Sequence, residues 1–423
     1  MAVVWRHFLF RTPLVFLLFL TTILYIWSTF QLHSQITNHS TNNLNQNHGE
    51  FQAKLKATFE NQVKMAMNNS MTFSACLLVM DDNHFLIEWL AYHYHVLPLR
   101  YLVIATDPRS ATSPHTILQR WREQVNDFTI VEWKDDDFMT DLERQEATDH
   151  VRIQFRRTGI QNQPHLIEHR ARQRLFYYKC MLHLKKKRRR WTVLIDTDEF
   201  LHVNYHPNTM QSIINSSTLP PGTYMNEPGS VMKFLKAELK RPGQNLTSAC
   251  VQIPRLRYGA KETYHLDERV APSLPGDVYS PFNISHFQTL RWNYHALALD
   301  HTANKISKTM IDLGRVRWQQ IEPVQSIHRP IWELCGHRRL YITAEQQVFV
   351  INHYLGTLEQ YFFRNDSRTG KERSLDVYDK VKAIDDENDD QVHSWLQGFV
   401  KVHGLEKAAA LLTGVGKVDT TLS

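Results

Sequence analysis

Two aspartates stand directly after a strongly apolar segment in WTVLIDTDEF, residues 191–200. They are Asp196 and Asp198, and a single threonine separates them. Carboxylate oxygens are ligands that Mg²⁺ and Mn²⁺ prefer, so the pair could form part of a metal site. A solvated strand terminus is the competing interpretation.

The surroundings of this pair distinguish it from a second one, Asp135 and Asp137 in WKDDDF, which we interpret as a solvated loop or helix start. In an extended chain alternate side chains share a face, so Asp196 and Asp198 would point the same way. Open α/β sheets bind ligands at the carboxyl ends of their strands. Burying two unpaired carboxylates is costly, so a cation is the simplest partner, and it could act as a Lewis acid on a pyrophosphate leaving group.

Short continuous apolar runs predict the strands that would position these aspartates. The predicted strands are FSACLLVM (73–80), RYLVIAT (100–106), FTIVEW (128–133), WTVLI (191–195) and VFVINHYLG (348–356). Helices are predicted between the first four, at 84–97, 115–125 and about 167–187. This order predicts the α/β class, with a mostly parallel central sheet flanked by helices.

The amino-terminal segment has the pattern of a membrane anchor. Pro13 to Phe30 contains no charged residue, and a spanning helix needs about 20 apolar residues. Arg6 and Arg11 precede the segment and the next charged residue is Glu50, which predicts a cytosolic amino terminus. No small-residue cleavage pattern follows, so we predict an uncleaved signal anchor; a cleaved signal peptide, giving a secreted protein, is the alternative.

The chain of 423 residues is 42% apolar, which is ample for a packed core, and its net charge of +6 suits an anionic ligand. The predicted organisation is a cytosolic tail (1–12), a transmembrane anchor (13–30), a flexible stem (31–70) and a lumenal domain (71–423). Within that domain we predict a nucleotide-sugar half (71–200), an acceptor half (201–370) and a helical carboxyl-terminal extension (371–423). Asn-x-Ser/Thr sequons agree with a lumenal body. They begin at Asn38, Asn68, Asn215, Asn245, Asn283 and Asn365.

The chain has four cysteines: Cys76, Cys180, Cys250 and Cys335. An oxidising lumen would allow up to two disulfides, and the sequence leaves all three pairings open. No Cys-x-x-Cys pair is present, so a zinc site is not predicted, and a buried thiol is the simplest interpretation of Cys76.

Four segments together resemble family 92 glycosyltransferases and their near relatives. They are ACLLVMDDNHFLIEWLAYHYHVL, RYLVIATDPRS, RQRLFYYKCMLHLKKKRRRWTVLIDTDEFL and INHYLGTLEQYFFRNDSRTG, whose order and approximate spacing match over about Phe73 to Gly370. The resemblance implies a GT-A fold, a nucleotide-sugar donor, a divalent metal (Mn²⁺ or Mg²⁺) and a single-pass type II protein of the Golgi membrane with a lumenal catalytic domain.

The same resemblance assigns roles to individual residues. Asp196 and Asp198 match the metal-binding D-x-D, and Glu199 is the acid that commonly follows it and is counted with the donor-binding residues. His353 lies in the terminal His-Tyr motif, where a histidine can complete metal or diphosphate binding. The structural alternative for His353 is a histidine at the end of a strand that is hydrogen-bonded to backbone.

The nucleotide contacts are predicted at the ends of the first two strands. Asp82 stands in Asp81-Asp82-Asn83, where relatives usually carry a Lys-Asn-Glu-like triplet, and this departure weakens the assignment of the nucleotide. Asp107 is a second ribose or base candidate, and a turn before Pro108 is its alternative.

Several cations are candidate phosphate contacts, each with a structural alternative. Arg170 and Arg174 precede the D-x-D on the long helix, and Lys308 and Arg315 follow it. For His328 a structural role is the preferred interpretation.

An inverting transferase also needs a carboxylate base. We select Glu262 from Glu262, Asp267 and Glu268, because it follows a turn, Arg257-Tyr258-Gly259, that resembles one in the family. A surface glutamate is the alternative for Glu262.

The expected function is therefore transfer of a sugar from a nucleotide-sugar donor to a glycan or glycoprotein acceptor with inversion. The family resemblance implies a UDP-linked donor that carries galactose. The expected partners include the membrane, through the amino-terminal helix, and no nucleic acid. Two alternatives stay open. A phosphatase of the haloacid dehalogenase type also uses a strand followed by D-x-D, with the first aspartate as nucleophile. A catalytically inactive Golgi glycan-binding relative is the other.

Overall fold

The computed structural model describes residues 71–156, 163–204, 227–240, 248–262, 282–297, 300–324, 326–336, 342–344, 347–363 and 373–418. The predicted tail, membrane span and stem lie outside these residues. Within the described ranges, no helix combines the length and the apolar character that crossing a bilayer requires. Asn68–Ser423 forms a compact unit of its own.

The described residues form a mixed α/β structure with two sheets. The strands are β1 (Phe73–Val79), β2 (Leu99–Thr106), β3 (Thr129–Trp133), β4 (Trp191–Leu194), β5 (Glu199–Val203), β6 (Cys250–Ile253), β7 (Arg255–Tyr258), β8 (Tyr294–His295), β9 (Lys308–Asp312), β10 (Phe349–Tyr354) and β11 (Glu387–Asn388). The helices are α1 (Asn83–Val96), α2 (His115–Gln124), α3 (Asp135–Phe138), α4 (Asp141–Gln154), α5 (Pro164–Lys186), α6 (Ser230–Lys240), α7 (Gln288–Arg291), α8 (Trp332–Cys335), α9 (Leu358–Phe363), α10 (Leu375–Lys382), α11 (Trp395–His403) and α12 (Leu405–Leu411).

The first sheet has the strand order β3-β2-β1-β4-β9-β6. The first four strands in this order pair in parallel, as the alternation of strands and helices predicts. Strands β9 and β6 extend the sheet with antiparallel pairs. The carboxyl ends of β1, β2 and β4 therefore lie at one edge of the sheet.

Strand β1 is apolar apart from Ser74 because both faces of the sheet are covered. Phe73, Ala75 and Leu77 belong to the core that α1 and α2 share. Cys76 belongs instead to the core under α5, and it forms a disulfide with Cys180 of that helix. The expectation of a buried thiol at Cys76 is therefore wrong.

The second disulfide joins Cys250 at the start of β6 to Cys335 at the end of α8. The described cysteines thus adopt one of the three pairings that the sequence left open. This disulfide fixes the short helix α8 to the edge of the first sheet.

The second sheet has the order β11-β8-β7-β10-β5, and β10 lies inside it. Strand β10 pairs antiparallel with β5, which sets His353 opposite Glu199. It pairs in parallel with β7, which sets His353 beside Arg257. Gly356, at a φ of +83°, follows β10 where an added Cβ would lie 3.0 Å from Phe85.

Region 371–423, predicted as a helical extension, contributes to the main core. Helix α11 packs against α1, and its Trp395 and Phe399 are fully buried in the core that contains β1. Helix α1 is buried along its whole length because other elements cover it as well: Glu88 accepts from Thr289 of α7, and His93 accepts from Leu201 of β5.

Candidate functional site

The D-x-D segment is a turn that carries the chain from the first sheet to the second. Strand β4 ends at Leu194 and β5 begins at Glu199. The Glu199 backbone N–H donates to the carbonyl of Asp196 at 3.2 Å, and the Glu199 carboxylate accepts from the Asp196 N–H at 2.9 Å. The expectation of an extended chain at this point is therefore wrong, because the turn directs Asp196 and Asp198 to different partners.

Asp196 belongs to a buried network of two acids and two cations. The Lys308 ammonium lies 2.7 Å from Asp196 Oδ2 and 3.0 Å from Glu199 Oε2. Arg255 donates to the other Glu199 oxygen at 2.9 Å. Burial lowers the pKa of Lys308, but Asp196 and Glu199 outweigh it, so the pKa lies above its ordinary value and the lysine stays charged.

This network decides how Glu199 and Lys308 can act. Both are essentially excluded from solvent, at 0% and 1% exposure of the side chain. Glu199 is predicted to bind the donor, but its carboxylate instead contacts the Asp196 N–H, Lys308 and Arg255. Lys308, a candidate phosphate contact, neutralises the two acids. Asp196 keeps 28% of its side chain exposed, so it still faces outward.

Asp198 is brought to His353 rather than to Asp196's partners. The Tyr354 N–H donates to the Asp198 carbonyl at 3.0 Å, which holds the turn against the end of β10. His353 Nε2 then lies 3.5 Å from Asp198 Oδ2. Two of the residues predicted to bind the metal therefore meet where the two sheets join.

A cavity of about 300 Å³ opens beside this pair. Asp198, His353, Arg257, His301 and Arg373 contribute its polar wall. Burial lowers the pKa of Arg257 to about 10, with Asp198 opposing this effect. Two guanidinium groups thus face one carboxylate, which favours an anionic ligand such as a phosphate.

The electrostatics keep His353 in the form that binds metals. Burial, followed by the charge of Arg257, lowers the pKa of His353, although Asp198 opposes both. The imidazole is therefore neutral at pH 7, and neutral imidazole is a good metal ligand.

The separation of Asp198 and His353 fits that of two ligands on one metal ion, whose remaining ligands would come from a bound molecule. Donor atoms lie about 2.0–2.2 Å from such an ion, so neighbouring donors around it are about 3 Å apart. The separation of 3.5 Å between Asp198 and His353 is close to this value. The described residues contain no group of three or more His, Cys, Asp or Glu side chains that could hold an ion. An ion on Asp198 and His353 would need further ligands, and diphosphate and water oxygens are suited to that role.

His84 is a residue of this region that the sequence did not single out. Its side chain is 1% exposed and, among the described residues, neither ring nitrogen has a hydrogen-bond partner. Burial lowers its pKa to about 3; the charge of Asp198 opposes this and that of Arg373 adds to it. Its position immediately after the Asp81-Asp82-Asn83 departure was the only available signal.

The two predicted nucleotide contacts are buried at the ends of their strands. Asp82 begins α1 and accepts a hydrogen bond from the Met80 N–H at 3.2 Å. Asp107 accepts from Arg109, His169 and Arg172. Burial raises the pKa of Asp107, but these partners outweigh it and hold the pKa well below its usual range. Asp107 therefore ties β2 to α5.

The predicted base is not brought to Asp198. Glu262 has a 60% exposed side chain and accepts from Arg291 Nε at 3.2 Å, outside the cavity that Asp198 lines. Asp267 and Glu268 lie outside the described residues. Arg315, a candidate phosphate contact, is 2.9 Å from the buried Asp312 and serves the first sheet.

Arg170, Arg174 and His328 line a second and larger cavity, of about 590 Å³. His328 is close enough to Lys308 and Asp196 for their charges to influence its pKa. The D-x-D turn thus has a cavity on the Asp198 side and another near the Asp196 side.

Comparison with known proteins found no matching protein-family model, no matching curated protein and no matching solved structure.

Proposed function

We propose that the chain is a metal-dependent glycosyltransferase that moves a sugar from a nucleotide-sugar donor to a glycan acceptor. The observation that carries this proposal is the meeting of Asp198 and His353 at 3.5 Å beside a cavity lined by Arg257 and Arg373. A GT-A fold is part of the proposal, supported by the parallel order β3-β2-β1-β4 and by the D-x-D turn that follows β4.

In this proposal Asp198 and His353 hold Mn²⁺ or Mg²⁺. When bound, the ion would neutralise the diphosphate leaving group as a Lewis acid. Arg257 and Arg373 bind the same diphosphate through charge-assisted hydrogen bonds. Burial and the charge of Arg257 lower the pKa of His353, so the ring remains neutral and no proton competes with the metal for its nitrogen lone pair.

The buried network keeps the turn in the geometry that this binding needs. Glu199 closes the turn onto the Asp196 N–H, while Lys308 and Arg255 fix Glu199 in place. Asp196, the exposed member, contacts Lys308 rather than the ion. Glu199 and Lys308 are therefore positioning residues.

The finer assignments rest on the resemblance to family 92. UDP-galactose as donor and inversion at the transferred carbon follow from it. Glu262 takes the role of base only if its pair with Arg291 opens when an acceptor binds. A lumenal Golgi location agrees with the two disulfides, which persist in oxidising compartments.

The test is hydrolysis of nucleotide-sugars by the purified full chain. UDP- and GDP-sugars are incubated with Mn²⁺, and released nucleotide is measured. We expect slow release from one donor, its loss in EDTA, and a loss of at least about 100-fold in Asp198→Asn. Asp196→Asn should cost less, about tenfold, because Asp196 contacts Lys308.

The same assay separates the alternatives. A phosphatase with Asp196 as nucleophile would cleave a phosphomonoester such as p-nitrophenyl phosphate and lose that activity in Asp196→Asn. No release from any donor by folded protein would contradict the proposal and favour an inactive glycan-binding relative.

A further inference from the structure

The larger cavity, of about 590 Å³, is lined by cations and aromatic rings and by no described acid. Helices α4 and α5 form one wall, and residues 306 and 326–332 form the other. Its cationic and aromatic lining residues are Phe155, Arg170, Arg174, His328, Arg329 and Trp332. The volume is within the range of about 300–1,000 Å³ that is usual for small-ligand sites.

Arg174 is the most unusual residue of this cavity. It is 8% exposed, and Nη2 donates to Gln154 at 2.5 Å. Nη1 is buried with no hydrogen-bond partner among the described residues. Burial lowers the pKa of Arg174 to about 10, and the charge of Arg170 adds to this effect. A buried guanidinium that lacks an anion is costly, so a bound anion would offset a real penalty.

The far face of Arg174 does not supply that anion. A neighbouring cavity of about 500 Å³ is lined by Arg174 together with Glu143, Glu146 and Glu322. Glu143 is paired with Lys179 at 2.5 Å. No described acid forms an ion pair with Arg174, so its charge remains available to a ligand.

The opposite wall adds flat surfaces and a hydrogen-bond acceptor. On this wall Arg329 lies over the Trp332 ring at 4.6 Å, and on the first wall Arg170 lies over Phe155 at 4.7 Å. His328 Nδ1 donates to the Ser307 carbonyl at 2.9 Å, which leaves Nε2 as an acceptor. Burial, followed by the charges of Lys308 and Arg255, lowers the pKa of His328 to about 3, so the ring is neutral.

The cavity borders the edge of the sheet where the turn lies. His169 lines it and also lies 3.3 Å from Asp107, at the end of β2. His328, on the other wall, is influenced by the charge of Asp196. The Cys250–Cys335 disulfide fixes α8, and with it Trp332, to β6. An occupant would therefore lie beside the Asp196 side of the turn, apart from the cavity that Asp198 lines.

We propose that this cavity binds an acidic sugar, one that carries a carboxylate, sulfate or phosphate group, as the acceptor. The role of this sugar as acceptor rests on the proposed function, whereas its binding does not. Arg174 and Arg329 hold the anionic group, Trp332 and Phe155 offer flat surfaces to the sugar ring, and His328 Nε2 accepts from a hydroxyl group.

The test is direct binding to the full chain by isothermal titration, without Mn²⁺ or donor. The probes are glucuronic acid, galactose 6-sulfate and glucose 6-phosphate, which distinguish the three anionic groups, with neutral galactose as reference. We expect at least one acidic sugar to bind about tenfold or more tightly than galactose. Arg174→Gln and Arg329→Gln, on opposite walls, should each weaken that binding about tenfold or more. Arg152 is an exposed α4 residue paired with Asp149, so Arg152→Gln is the matched control and should leave the binding unchanged.

Two results would overturn the inference. One is that acidic sugars bind no more tightly than galactose, or that folded Arg174→Gln and Arg329→Gln proteins both bind them as tightly as the wild type does. The other is complete displacement of the acidic sugar by UDP, which would assign the cavity to the donor. Wild-type protein that binds the acidic sugar but hydrolyses no nucleotide-sugar would contradict the proposed function and leave this inference standing.

Discussion

At the scale of single residues, the two aspartates of the D-x-D segment have separate environments. Asp196 contacts a lysine, whereas Asp198 contacts a histidine. The turn closed by Glu199 produces this division. The D-x-D segment therefore contains Asp198, which is placed beside His353 and suited to hold an ion, and Asp196, which is paired with Lys308.

Lys308 should be essential for stability, because its removal leaves Glu199 and Asp196 with less positive charge in a buried site. We expect Lys308→Met to lower the free energy of unfolding by about 3–5 kcal/mol, measured by urea denaturation. Arg152→Met removes an exposed pair with Asp149 and should cost less than about 1 kcal/mol. A Lys308→Met protein as stable as this control would contradict the network.

His93 should make stability fall in mild acid. Nδ1 donates to the Trp89 carbonyl at 2.9 Å and Nε2 accepts from the Leu201 N–H at 3.3 Å, so the buried ring has no room for a second proton. Burial lowers its pKa to about 3, from 6.5 in the unfolded chain. Between these values the unfolded state binds more protons, so stability is lost as the pH falls below about 6.5.

The size of this effect follows from the two pKa values. From pH 7 to pH 5, His93 should cost about 2 kcal/mol of unfolding free energy. His93→Leu should lack this part of the pH dependence, whatever its absolute stability. Equal pH slopes for the wild type and His93→Leu in urea denaturation would refute the assignment.

Sequence reasoning singled out candidate residues at the carboxyl ends of apolar strands. Asp198 and His353 belong to this class, and the structure brings them together. Arg373 and His84 reach the same region through tertiary packing, which leaves no local pattern in the sequence. Glu262 had a local signal, but its carboxylate pairs with Arg291 at the surface.

At the scale of elements, long apolar runs predicted the first sheet well. Strands β1, β2 and β4 lie close to their predicted bounds, because burial on both faces leaves a continuous apolar signal. The edge strand β3 and helix α5 also lie close to theirs. The second sheet was not predicted as a separate unit. Strands β8 and β11 have two residues each, too few to show a periodicity, and the pairing of β10 with β5 depends on long-range register.

The disulfides are the element-scale feature most easily checked. Cys76–Cys180 fastens β1 to α5, and Cys250–Cys335 fastens β6 to α8. Peptide mapping by mass spectrometry without reduction should recover these two pairs from protein made in an oxidising compartment. Removing the second pair as a double Cys→Ser variant should cost about 2–5 kcal/mol. Recovery of Cys76–Cys250 peptides as the main species would contradict the packing.

At the scale of the whole molecule, the turn from β4 to β5 joins two sheets and has a ligand cavity on each side. The Asp198 cavity combines the proposed metal ligands Asp198 and His353 with two guanidinium groups, and the Arg174 cavity combines cations with aromatic rings. Donor and acceptor would thus approach the turn from different directions. Transfer would then require the sugar carbon and the acceptor hydroxyl to meet at the turn, about 3–3.5 Å apart.

Binding of Mn²⁺ to the full chain, followed by electron paramagnetic resonance, shows whether Asp198 and His353 form a metal site. Because the described residues supply Asp198 and His353 only, Mn²⁺ should bind weakly alone and about tenfold or more tightly with UDP present. Asp198→Asn and His353→Ala should abolish the UDP-dependent gain, and Asp149→Asn, an exposed control, should keep it. Equal Mn²⁺ affinity in the wild type and Asp198→Asn, with UDP present, would contradict the account.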